Sequence, residues 1–65
     1  MKLIVNGEAL EAAAATLAEL LAELDYEGAW LATAVNGELV RTGERQACRL
    51  RDEDRIEILS PMQGG

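Results

Sequence analysis

Residues 34–40 read Ala-Val-Asn-Gly-Glu-Leu-Val. Asn36-Gly37 tolerates the two positive φ angles of a tight hairpin turn, and apolar residues stand on both sides of it. The stretch therefore predicts two antiparallel strands. The first covers 30–35, with Leu31, Thr33 and Val35 on one face and Trp30, Ala32 and Ala34 on the other; the second is a short return over 38–40. Thr33 is the polar member of an otherwise apolar inward face, so its hydroxyl needs a partner if it is buried.

Upstream, the opening MKLIVNG (residues 1–7) follows the same logic, with Met1, Leu3 and Val5 alternating against Lys2, Ile4 and Asn6 before the turn pair Asn6-Gly7. Glu8 to about Ala13 reads as the returning strand, although alanine has little strand preference. Thr16 followed by Glu19 forms a capping-box pattern, in which the hydroxyl accepts from a free amide and the carboxylate reaches back to the amide of the cap residue. A helix is expected from there. Leu17, Leu20, Leu21 and Leu24 make one apolar stripe along it, Glu19 and Glu23 lie outside the stripe, and Gly28 is the expected stop.

Downstream, residues 41–49 read as polar and irregular, and Leu50 precedes a charged turn, Arg51-Asp52-Glu53-Asp54. The last strand spans 55–59, with Ile56 and Ile58 inward and Leu59 on the opposite face. Pro61 has no amide hydrogen to give a ladder, so pairing should stop at about Ser60. Hairpin, helix, hairpin and final strand predict an α+β fold: a mixed sheet of four to five strands with one main helix packed across it. The crossover rule favours bringing the third or the last strand parallel to the first.

Sixty-five residues make one small domain, too small to wall off a large active site of its own. Twelve acidic against six basic residues give a net charge of −6, which disfavours nucleic acid and anionic lipid and suits a partner with a positive surface. No basic leader or long apolar run suggests export or a membrane segment, and one unpaired cysteine offers no disulfide framework, so the cytoplasm is the expected compartment. With no histidine and one cysteine, no metal site is expected.

The opening MKLIVNGE, the helix segment TLAELL, the hairpin AVNGELV, the segment RLRDEDRIEIL and the terminal Gly64-Gly65 occur in an order and spacing that resemble the thiamine-biosynthesis sulfur carriers, small ubiquitin-like β-grasp proteins. The likeness covers essentially the whole chain. It implies a β-grasp domain over 1–60 and a flexible tail over 61–65 ending in Gly-Gly. One departure stands out: the family has glycine in the turn before the last strand, where this chain has Glu53. Glu53 is thus expected to take up a backbone conformation easier for glycine, at a cost of about 1 kcal/mol.

The resemblance also implies a chemistry. The carboxylate of Gly65 would be adenylated by an ATP-dependent, E1-like activating enzyme, converted to a thiocarboxylate with sulfur from a persulfide donor, and used by thiazole synthase. The carrier would hold no cofactor and no catalytic residue. Gly64 would give the tail steric access to narrow channels in its partners. Ile4, Leu59, Met62 and Gln63 are the candidate partner contacts, with the face of Trp30, Ala32 and Ala34 beside them.

Other readings stand beside this one. The small subunit of molybdopterin synthase resembles the chain in fold and terminal Gly-Gly, with a different sulfur acceptor. A ubiquitin-like modifier would let a lysine amine capture the activated end, and a plain interaction module would not need the tail at all. Cys48 has no histidine to activate it and only Arg49 beside it to lower its pKa, so it reads as a structural thiol. The acidic residues of the helix and of 52–54 read as solvated surface, Trp30 as a packing residue at the sheet edge, and the leucine stripe as core.

Overall fold

The computed structural model describes residues 1–26 and 30–60. Both Asn-Gly pairs form the expected turns: Asn6 and Gly7 have φ of 50° and 85°, Asn36 and Gly37 of 52° and 85°. These angles match the right-handed twist of the strands they join. The first turn links β1 (Lys2–Val5) to β2 (Glu8–Glu11), and the second links β3 (Ala32–Val35) to β4 (Glu38–Val40). The same tetrapeptide, Val-Asn-Gly-Glu, builds both, at 5–8 and 35–38.

The last strand, β5 (Arg55–Leu59), enters between the hairpins and gives a five-stranded sheet of order β2-β1-β5-β3-β4. It runs parallel to β1, with Ile4 beside Arg55 and Val5 beside Ile56, and antiparallel to β3, from Ala32 beside Leu59 to Val35 beside Ile56. Of the two strands that the crossover rule allowed to lie parallel to β1, the last one does so. This is the β-grasp arrangement that the resemblance implies.

Helix α1 (Leu17–Glu23) lies over one face of the sheet. Its Leu17, Leu20 and Leu21 join Leu3, Val5, Leu31, Leu50, Ile56 and Ile58 in one buried cluster, with Leu24 packed against it. The leucine stripe is core, as its spacing requires. Thr16 caps the helix, its hydroxyl accepting from the Glu19 amide at 3.2 Å. The Glu19 carboxylate, however, accepts from the amide of Ala15 at 2.8 Å, one residue before the expected partner.

Two boundaries differ from the sequence reading. Strand β2 stops at Glu11: Ala12 still exchanges bonds with Met1, its amide donating to the Met1 carbonyl at 2.9 Å and its carbonyl accepting from the Met1 amine at 2.8 Å, and the next amides, of Ala13 and Ala14, donate to the carboxylate of Glu23 at 3.1 and 3.0 Å. Ala12 and Ala14 still turn into the core, each 5% exposed. The helix ends at Glu23 and not toward Gly28, which lies outside the described residues. Asp25 takes the left-handed position, φ 64°, and the amides of Asp25 and Tyr26 donate to the carbonyls of Ala22 and Leu21. That pair of bonds is a Schellman stop made without glycine.

Residues 41–49 are less irregular than their composition suggests. A short 3-10 turn, Thr42–Glu44, leads to Arg45, whose carbonyl accepts from Ala18, while the Cys48 carbonyl accepts from Leu17. These acceptors satisfy amides that the start of any helix leaves unpaired. Glu53 adopts φ 71°, the glycine-favoured conformation expected of it. Its amide donates to the Lys2 carbonyl at 2.6 Å, and the Lys2 amide donates to the Asp52 carboxylate at 2.7 Å.

Candidate functional site

Strand β5 is the central element of the molecule and the one that leads to the chain's last residues. Its hold on the sheet exceeds the backbone ladder. The Asn6 side chain grips Ile58 from both sides, its Oδ1 accepting from the Ile58 amide at 2.9 Å and its Nδ2 donating to the Ile58 carbonyl at 3.2 Å. At the other end of the strand the Asn36 Oδ1 accepts from the Arg55 amide at 3.0 Å, and its Nδ2 donates to Asp54 at 2.9 Å. Each turn asparagine therefore supplies both the positive φ and a clamp on β5. Sequence reading found the first role and missed the second. The repeated Val-Asn-Gly-Glu was the available signal, since glycine alone would have served the turn.

Beyond the Ile58 clamp, Leu59 is 69% exposed on the face away from the helix. The sheet register sets Ala32 beside it, and Leu39 stands beside Ala34 one strand further out. Ala32, Ala34, Leu39 and Leu59 line a shallow hollow of about 120 Å³, with Glu57 at its margin. Leu39, 68% exposed, is a member that sequence reading did not single out, although its alternation with the half-buried Val40 would have placed it there.

Ile4 is on the same face but apart from that group. It sits beside Arg55 and lines a separate hollow of about 450 Å³ with Gly7, Asn36, Gly37, Arg55 and Glu57. Leu59 and Ile4 thus mark two neighbouring depressions and not one patch. Trp30 is 78% exposed, so it is not the packing residue that the sequence suggested; it precedes β3, and among the described residues no strand is paired with it. Met62, Gln63, Gly64 and Gly65 lie outside the described residues.

Several of the remaining chemistry-bearing residues are occupied structurally. Cys48 is half-buried, and its thiol is held above its ordinary pKa by burial first, then by the negative charges of Asp54 and Glu44. Arg49 does not reverse that direction, so the thiolate is disfavoured. Asp54 accepts from the Arg51 amide at 2.9 Å as well as from Asn36, and Asp52 and Glu23 cap backbone amides. Glu23 and Asp52 are exposed, as expected of solvated surface, and Asp54 is half-buried; all three also clamp turn and linker amides.

Arg45 is the other residue that the sequence left unremarked. It is 6% exposed; its Nε donates to the Thr33 hydroxyl at 3.2 Å and its guanidinium donates to the Leu31 carbonyl. The Thr33 hydroxyl in turn donates to the Val40 carbonyl at 2.7 Å, so the buried threonine has the partners it needs. Among the described residues no three His, Cys, Asp or Glu side chains gather as metal ligands, and no helix is long and apolar enough to cross a membrane.

Comparison with known proteins covers nearly the whole chain. The profile of the ThiS family matches residues 3–65. The crystal structure of a thiamine biosynthesis protein (ThiS) from Geobacter metallireducens is 32% identical, with a TM-score of 0.82 and 100% of each chain covered. An NMR solution structure of a thiamine biosynthesis protein from the same organism gives 32% identity and a TM-score of 0.80, covering 100% of this chain and 88% of that one. Curated protein sequences give no significant match.

Proposed function

The chain belongs to the ThiS family, and on that premise we propose that it is a sulfur carrier of thiamine biosynthesis whose covalent site is the carboxyl group of Gly65. The observation that carries this reading is the family match over residues 3–65, which includes the terminal Gly64-Gly65. The chain acts as a co-substrate and not as an enzyme. Its own residues hold β5 rigid and present the last residues to partners that carry out the chemistry.

A carboxylate resists attack because its charge is shared by two oxygens and neither leaves readily. Attack of the Gly65 carboxylate on the α-phosphorus of ATP, held by an E1-like activating enzyme, releases pyrophosphate and turns that oxygen into part of an AMP leaving group. The outer sulfur of a persulfide then adds to the carbonyl carbon and AMP departs. A thiol cleaves the resulting sulfur–sulfur bond, leaving the thiocarboxylate on Gly65 and the donor as a disulfide. The anionic thiocarboxylate gives thiazole synthase a nucleophilic sulfur without a base in the carrier.

Side chains at either of the last two positions would obstruct a narrow channel, which is the role proposed for Gly64. Leu59 and the hollow beside it, Ile4, Met62 and Gln63 form the proposed docking contacts. Such a cycle, which depends on thiols and persulfides, suits the cytoplasm. The test is reconstitution with activating enzyme, ATP, sulfur donor and thiazole synthase. Thiazole formation that requires Gly65 supports the reading. Sulfur passed only to a molybdopterin synthase large subunit, or isopeptide conjugates ending in Gly65, would replace it.

A further inference from the structure

The two Asn-Gly turns carry a chemical liability as well as a conformational role. From their geometry we infer that Asn6 and Asn36 are sites of spontaneous deamidation, guarded by their own clamps on β5, and that loss of either amide releases the strand. The reaction needs only water. The deprotonated main-chain nitrogen of the following glycine attacks the asparagine Cγ; a carbon–nitrogen bond forms, and the Cγ–Nδ2 bond breaks as ammonia leaves. Water then opens the five-membered ring at one carbonyl or the other and gives aspartate or isoaspartate. One amide and one water become one carboxylate and one ammonium ion.

Both turns are open to this chemistry on their outer side. Nothing lies within 4 Å of the position a Cβ would take on Gly7 or Gly37, and a glycine has no side chain to hinder ring closure. What opposes it is the grip on β5. The departing Nδ2 of Asn6 is the donor to the Ile58 carbonyl, and Oδ1 is held by the Ile58 amide. The departing Nδ2 of Asn36 is the donor to Asp54, and Oδ1 is held by the Arg55 amide. The folded sheet must open at β5 before either ring can close, so the folded chain reacts more slowly than an open one.

The products cannot restore what was lost. At position 6 a carboxylate oxygen faces the Ile58 carbonyl, acceptor against acceptor. At position 36 a new carboxylate stands where the amide nitrogen lay 2.9 Å from Asp54, like charge against like charge. Isoaspartate adds a further backbone carbon and spoils a turn whose length sets the strand register. Deamidation therefore acts in one direction: it weakens the hold on β5, whose end leads to the tail.

The full chain is incubated at mildly alkaline pH and physiological temperature, beside synthetic peptides covering 1–10 and 32–41. Peptide mapping follows the gain of about 1 Da and the isoaspartate content at each site. The expected result is slower reaction in the folded chain than in the peptides, by roughly tenfold or more, and faster reaction in a core-weakened Leu20→Ala chain. The aged protein, separated by its extra negative charge, should exchange its β5 amide hydrogens roughly tenfold faster than fresh protein. Equal rates in chain and peptide, no reaction in either, or unchanged β5 exchange after conversion would each overturn the inference. None of these readouts depends on sulfur transfer.

Discussion

Glu53 shows how a single residue records a departure from an easier solution. Its φ of 71° was foreseen through the family resemblance, which implies glycine in the turn before the last strand. Glu53→Gly should therefore raise stability by about 0.5–1 kcal/mol in urea unfolding, the relief of left-handed strain offset by glycine's greater unfolded entropy. Thr33 announced its need for a partner by interrupting an apolar face, but the partner itself was hidden. Arg45 lies twelve residues away in a polar stretch, and a charged side chain is assigned to solvent by default. Thr33→Val leaves the Arg45 Nε without its acceptor and should cost about 1–3 kcal/mol by the same measurement. Cys48 gives a pH dependence. Its folded pKa lies above the unfolded value, so its contribution to stability is intact below the unfolded thiol pKa and is lost as pH rises through the folded one. Alkylation of Cys48 should lag behind that of a free thiol at the same pH, a difference that unfolding abolishes.

At the level of elements, the hairpins and β5 were readable because each depends on neighbours in sequence, two positive φ angles or an alternation of period two. The ends of β2 and α1 were not, because nonlocal or less common solutions decided them. Glu23, ten residues on, takes up the Ala13 and Ala14 amides where the pairing with β1 ends, and Asp25 makes the helix stop before Gly28 is reached. The clamps of Asn6 on Ile58 and Asn36 on Arg55 were equally hidden, since their partners are 52 and 19 residues distant. The helix and the open face should respond differently to truncation. Leu20→Ala, at a fully buried position, should cost about 2–5 kcal/mol. Leu59→Ala should change stability by no more than about 0.5 kcal/mol, and lower affinity for the activating enzyme if the hollow at the end of β5 is where that partner docks.

The whole molecule reads as a rigid five-stranded support for a short segment, with a charge of −6 that favours a basic partner. Its association with the activating enzyme should slow as salt is raised, with little change in the dissociation rate if the contributing charges lie at the rim. The sequence made the support legible and pointed to Gly65 as the proposed reactive residue, because the family likeness runs from the first strand to the terminal glycines. It did not make the docking surface legible, since Leu39 joins Leu59 and Ile4 stands apart only once strand register is known. Removing Gly65 should leave thermal stability unchanged, because among the described residues the clamps and core that hold β5 lie upstream of it, while abolishing sulfur loading. The most direct measurement is mass spectrometry of the chain after incubation with activating enzyme, ATP and a persulfide donor. The product is trapped by thiol alkylation and localised by peptide mapping, to separate it from Cys48 and from oxidised Met1 or Met62. ATP-dependent, alkylatable sulfur on Gly65 is the predicted result; an unmodified Gly65 in the presence of an activating enzyme and donor shown to load another carrier would contradict it.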